Sequence, residues 1–242
     1  MTQRTNSSNA IPQPHGFTLV EMSIVLAIVA LLLGGLLPLI SGQIEQQRRN
    51  ETRKHLADIQ NALLGYAIIN GSLPCPTTTA DPSDTANYGI SPATCSNAPT
   101  AEGYLPWKTL GVPEVDAWGS KRSATTDSWL GYWRYRVDRN FTTTFALTTG
   151  FSSDKLSIVN NSNVLITPAT SGCSNTNPTS ECPLAIVFST GPDVTANGEN
   201  STFESSTAIY QSDEPSPTFD DILIWISRPQ LFNRMVAAGK LP

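Results

Sequence analysis

Histidine is scarce in this sequence, and the scarcity decides much of the chemistry. Among 242 residues only His15 and His55 carry an imidazole. A Ser-His-Asp or Cys-His catalyst needs that ring beside its nucleophile. No histidine lies beyond residue 70, so the one stretch long enough for a globular domain, 71–242, is expected to lack such catalysis. Histidine-based zinc catalysis fails there for the same reason. No glycine loop of the phosphate-cradling type appears. Carboxylates are plentiful, 16 of them beyond residue 70, but no spacing marks out a glycosidase pair. The expectation is a protein that is not an enzyme and needs no cofactor. His55 falls in an amphipathic stretch and reads as a solvated helix residue.

The other residues that could do chemistry are four cysteines, one oxygen-rich loop and one isolated glutamate. Cys75, Cys95, Cys173 and Cys182 allow three pairings. The sequence-local one, Cys75–Cys95 with Cys173–Cys182, is favoured, because each bond closes a loop rich in Pro, Ser, Thr and Asn. Loops of that size gain about 3 kcal/mol from closure. The competing Cys₄ zinc site lacks any C-x₂-C pair. Disulfides imply an oxidising compartment. The loop Asp193–Asn200 offers hard oxygens from Asp193, Asn197 and Asn200, and calcium takes six to eight such ligands. A plain polar turn is the favoured reading, with calcium the alternative.

The glutamate is Glu21. Residues 17–40 read FTLVEMSIVLAIVALLLGGLLPLI, and Glu21 is their only charge. An apolar run of that length can cross a bilayer core, since about 20 helical residues suffice. The expected organisation is a polar segment over 1–16, a transmembrane helix over 17–44, an amphipathic stalk helix over 45–70, and a globular head over 71–242. A carboxylate inside such a helix is either interfacial or kept for a partner charge. Pro38 removes a backbone donor and should loosen the helix. Arg48, Arg49, Arg53 and Lys54 follow the run and would by themselves put the C-terminal side in the cytoplasm. The cysteines argue for the opposite side, and the basic residues alternate with Glu45, Glu51 and Asp58.

Gly16-Phe17-Thr18-Leu19-Val20-Glu21 resembles the cleavage and methylation site of type IV prepilins and type II secretion pseudopilins. Gly precedes the cut, Phe follows it, and Glu is the fifth mature residue. The resemblance implies that a prepilin peptidase cuts between Gly16 and Phe17, which makes 1–16 a leader and 17–44 an assembly helix as well as a span, and that the new Phe17 amine is methylated. It implies that Glu21 neutralises the Phe17 amine of a neighbouring subunit. Opposite charges in a low-dielectric core attract strongly and fix register. The implied partners are the peptidase, other pilin or pseudopilin subunits, the inner membrane and an assembly platform. The implied location is a single-pass bacterial inner-membrane protein with a periplasmic head, drawn into a filament. The loop at Asp193, ahead of Asp220-Asp221, is similar in position to the calcium loop of major pseudopilins, although its ligand spacing is not reproduced. The large head points to a minor subunit. Two other classes compete: a membrane-anchored periplasmic binding protein that does not polymerise, and a DNA-binding pilus subunit.

The elements that must position these residues are legible in outline. Leu56, Ile59, Leu63 and Tyr66 recur at helical spacing, and Asn70-Gly71 with Pro74 and Pro76 ends the helix. Trp129–Val137 alternates, with Trp129, Trp133, Tyr135 and Val137 on one face. Further strands are expected over Thr144–Thr148, Asn163–Thr167, Leu184–Thr190, Thr207–Gln211 and Ile222–Ser227. A short helix should start at Pro229 and end near Ala238, and Thr77–Thr100 reads as a long loop. Strands without intervening helices predict an α+β fold, a long N-terminal helix packed on a mostly antiparallel sheet. Half of the head's ten basic residues are Lys121, Arg122, Arg134, Arg136 and Arg139, beside Trp129 and Trp133. That mixture could stack on bases and pair phosphates. The head's excess of 16 acids over 10 bases argues against nucleic acid.

Overall fold

A computed structural model describes residues 16–167, 181–203 and 208–241, the side chains of 34–41 excepted. The chain divides into two compact units, Met1–Glu45 and Gln46–Pro242. In chain order the elements are α1 (Leu19–Asn70), β1 (Glu102–Tyr104), α2 (Trp107–Leu110), β2 (Arg134–Val137), β3 (Ser157–Val159), β4 (Leu165–Thr167), β5 (Pro183–Ser189), β6 (Ile209–Gln211), β7 (Ile222–Ser227) and α3 (Arg228–Ala237).

The second unit is built on a four-stranded sheet of order β1-β2-β5-β7, antiparallel throughout. All seven residues of β5 are buried, because both of its faces are covered. On one face Leu184, Ala185 and Val187 share a core with Leu56, Ile59, Leu63 and Ala67 of α1. On the other face Ile186 and Phe188 pack with Ile158 of β3 and Tyr210 of β6. A smaller sheet of order β4-β3-β6 supplies that second layer. The fold is therefore α+β, a long N-terminal helix on an antiparallel-rich sheet.

Polar contacts fasten α1 where its apolar stripe stops. Gln60 Nε2 donates to the Trp225 carbonyl of β7 at 2.9 Å, and Thr52, fully buried, accepts from Ala117 N at 3.4 Å. Gly71 ends the helix with φ +70° and donates to the Ala67 carbonyl, a conformation glycine adopts without a Cβ clash. The expected stripe needs one change. Tyr66 is only half-buried, while Ala67 is fully buried. Spacings of 3, 4 and 4 from Leu56 follow the 3.6-residue turn more closely than a return to 66.

The strands also depart from expectation in places. Residues 144–148 form no strand and pass through a turn. Trp129 leaves the face shared by Trp133, Tyr135 and Val137 and joins an aromatic cluster with Tyr88, Tyr104, Trp107 and Tyr132. The strands β1 and β3 were not foreseen, and β3 pairs β6 in parallel. Both span three residues, too few for alternation to show.

Leu63→Ala should lower the head's unfolding free energy by about 2–5 kcal/mol, since it empties a fully buried site. An exposed control on the same helix, Ala57→Ser, should change it by less than about 0.5 kcal/mol. Equilibrium denaturant unfolding of both variants checks this.

Candidate functional site

The first turn of α1 brings Gly16, Phe17 and Glu21 into one short segment. Gly16, Phe17 and Thr18 precede the helix in non-helical backbone. Thr18 Oγ1 accepts from Glu21 N at 3.2 Å, and Glu21 Oε2 accepts from Thr18 N at 3.3 Å. This reciprocal pair is a capping box, which satisfies two donors that a helix start leaves unpaired. The T-x-x-E spacing carries that signal in the sequence. Glu21 thus sits in the first turn, where the helix dipole favours an anion. Around it Phe17, Leu19 and Val20 are exposed, Leu19 by 92%.

The exposed apolar surface continues through Ile24, Leu26 and Leu31. Helical backbone runs without a break across Pro38, whose side chain lies outside the described residues. Among the described residues no helix is long and apolar enough to cross a membrane. The expected span over 17–44 includes the undescribed side chains of 34–41. The expected leader, except Gly16, also lies outside the described residues.

The oxygen-rich loop is closed by its own hydrogen bonds. Asn197 Oδ1 accepts from Asp220 N at 3.0 Å, and its Nδ2 donates to Asp193 at 3.2 Å. Asn200 is fully buried; its Oδ1 accepts from Gln211 N at 2.8 Å and its Nδ2 donates to Asp221 at 2.8 Å. Gly198, at φ +55°, lies so close to Gln211 that a Cβ would strike its side-chain oxygen. Asp193, Asn197 and Asn200 are therefore each engaged, by one another or by Gln211, Asp220 and Asp221. Among the described residues no group of three or more His, Cys, Asp or Glu is placed to hold a metal ion. The buried carboxylate of the network is Asp221, which also accepts from Asn197 N at 3.0 Å. Burial, with Asp220 and Asp193 nearby, pushes its carboxyl up to about 7.

The basic residues grouped by sequence are mostly turned inward. Arg136 is 1% exposed and pairs with Asp154 at 3.0 Å. Arg122 is buried and donates to the carbonyls of Ala80, Thr125 and Asp127. Its guanidinium lies over Trp129, Trp129 stacks on Tyr104, and Arg134 lies over the Tyr104 ring. Rings held between guanidinium groups in this way offer no free face to a base. Trp133 is buried, and Lys121 is exposed beside Glu114.

Cys75 and Cys95 are bonded, with Cα atoms 5.7 Å apart. Cys173 lies outside the described residues, so the second expected pair cannot be placed. One assembly of reactive types was invisible in the sequence. His55 of α1 faces the Asp116 loop, its ring 6.3 Å from that of Trp133. Asp116 accepts from Ser189 Oγ at 2.5 Å and from the backbone N–H groups of Trp118 and Gly119. Burial raises the Asp116 carboxyl above its usual range. Ser189 is fully buried and gives its proton to the carboxylate rather than to the imidazole. Asp116 and Ser189 together tie the 116–119 turn to the end of β5.

Compared with known families, residues 13–37 match the one described as the prokaryotic N-terminal methylation motif. This is the prepilin-type signal of type IV pilins and pseudopilins. It supports a processed, pilin- or pseudopilin-like subunit, cut by a prepilin peptidase and assembled with other pilin subunits. Such proteins are typically structural. Neither the curated proteins nor the solved structures contain a match to the chain.

Asp221 carries a pH prediction. Its folded value lies above its unfolded one, so its contribution is fully present below about pH 4 and is lost as pH rises through about 7. Asp221→Asn should remove that loss, so the variant gains on the parent between pH 5 and 8 by an amount on the order of a few kcal/mol. Melting temperatures across that range check it, and parallel pH profiles would contradict it. Millimolar calcium should leave the parent's melting temperature unchanged, because the loop's amide oxygens already have donors.

Proposed function

We propose that this chain, which carries the prepilin-type signal at residues 13–37, is a minor pilin or pseudopilin. A prepilin peptidase cuts between Gly16 and Phe17, and the new Phe17 amine is methylated. Residues 17–44 hold the protein in the inner membrane with the head in the periplasm. The subunit then leaves the bilayer for a filament, in which α1 packs against the helices of its neighbours.

The observation that carries the reading is the motif together with its local geometry. Phe17 is exposed at the helix start, and Glu21 stands one turn into the helix on an otherwise apolar surface. A carboxylate on such a surface is costly in hydrocarbon unless a cation meets it. The methylated amine of a neighbour's Phe17 supplies that cation. Until then the Thr18 hydroxyl and backbone N–H satisfy the carboxylate. The bonded Cys75 and Cys95 support an oxidising compartment for the head. The size of the head supports a low-copy subunit over a major one.

The test is the intact mass and N-terminus of the protein from its native membrane. The expected chain starts at a methylated Phe17. In cells lacking prepilin peptidase it should keep residues 1–16. A full-length chain in cells with active peptidase would overturn the proposal and favour a membrane-anchored binding protein.

A further inference from the structure

A cavity of about 660 Å³ opens on the head beside the Cys75–Cys95 bond. Its volume lies in the usual range of small-molecule sites, about 300–1,000 Å³. Three segments form it: 94–96, 139–144 and 149–153. Each is anchored, the second and third by one shared group. The disulfide holds Cys95. Asp138, fully buried, accepts from Asn140 N at 3.0 Å and from Ser152 N at 2.9 Å, which ties the second segment to the third. Asn140 Nδ2 then donates to the Gly150 carbonyl at 3.0 Å. A groove held from three sides is preorganised, which lowers the ordering cost of binding.

The lining has an unusual chemistry. It is dominated by threonine and serine. Its one ionised group, Arg139, pairs at 3.2 Å with Asp154, the carboxylate that Arg136 shares, and is bonded to Ser153. The side chains of Thr94, Ser96, Thr143 and Thr144 make no hydrogen bond within the described residues, and all four are exposed. A hydroxyl both donates and accepts, and it rotates to suit its partner. Phe151, 2% exposed, closes the floor. Arg139 is already held by Asp154, Ser153 and the Ser96 carbonyl, which leaves an anion little to gain, and so polar a lining gives little to an apolar ligand. A ligand bearing many hydroxyls matches such a wall. We propose that this groove binds a neutral saccharide.

The site belongs to the head alone and stands independently of N-terminal processing. The full-length protein in a phosphocholine detergent, whose headgroup carries no sugar, is titrated with maltotetraose and with chitotetraose by ligand-observed NMR. Saturable millimolar or tighter binding of at least one is expected. Thr143→Val with Thr144→Val keeps side-chain shape and removes two hydroxyls, and should weaken binding about tenfold at an unchanged melting temperature. Ser96→Ala, on a different segment, should weaken it in the same direction. No saturable binding of either sugar would overturn the proposal, and so would binding that is equal in the parent and in all three substituted positions.

Discussion

The head depends on one contact, the stripe of Leu56, Ile59, Leu63 and Ala67 against β5 and its neighbours. A four-stranded antiparallel sheet with two apolar faces needs both covered. The small β4-β3-β6 sheet covers one face and α1 covers the other. The last turns of α1 are thus a core element of the domain and not an appendage to it. The same constraint explains why α1 changes character along its length. From Thr52 onward one face is buried, whereas from Phe17 to Leu33 every residue is exposed. An apolar helix surface of that kind is driven out of water and marks an interaction site.

Buried carboxylates do the work that regular structure does not. Asp116, Asp138 and Asp221 are each nearly inaccessible, and each accepts from at least one backbone N–H group. Burial raises all three. Each stands where long loops meet the sheet: 116–119 at α1, 138–152 at the end of β2, and 191–200 at the start of β7. The strands are short, several only three residues long, so loop backbone needs partners outside the ladders. Arg136 with Asp154, and Glu102 with the Tyr210 hydroxyl at 2.7 Å, extend the pattern between the layers.

How much of this could be read beforehand followed from the length of each signal. The helix, β5, β7 and α3 carry periodicity over six or more residues and were placed within one or two positions. Three-residue strands carry little: β4 and β6 fall inside longer expected strands, Asn163–Thr167 and Thr207–Gln211, whereas β1 and β3 were missed. The cluster of Arg122, Arg134, Arg136 and Arg139 shows the limit of composition. Basic residues near aromatics left a nucleic-acid surface as a competing reading, which the head's acidity argued against, and guanidinium groups stack on rings and reach carbonyls just as readily. The loop at Asp193 shows a similar limit, because ligand types alone do not reveal that Asn197 and Asn200 are already bonded to Asp220, Asp221 and Gln211. At the N-terminus the motif was specific enough to read directly, although the Thr18–Glu21 capping pair inside it was overlooked.

The account rests most heavily on Glu21 having a use beyond its own helix. Capping alone predicts a small local effect, because Thr18 can still cap without it. A register charge predicts loss of assembly. The direct measurement is the recovery of the protein in sheared filament and in membrane fractions, for the parent and for Glu21→Ala at equal expression. The account predicts that the parent enters the filament fraction and that Glu21→Ala stays in the membrane with an intact head. Equal recovery of both in the filament fraction, or a parent chain confined to the membrane in cells that make filaments, would contradict it.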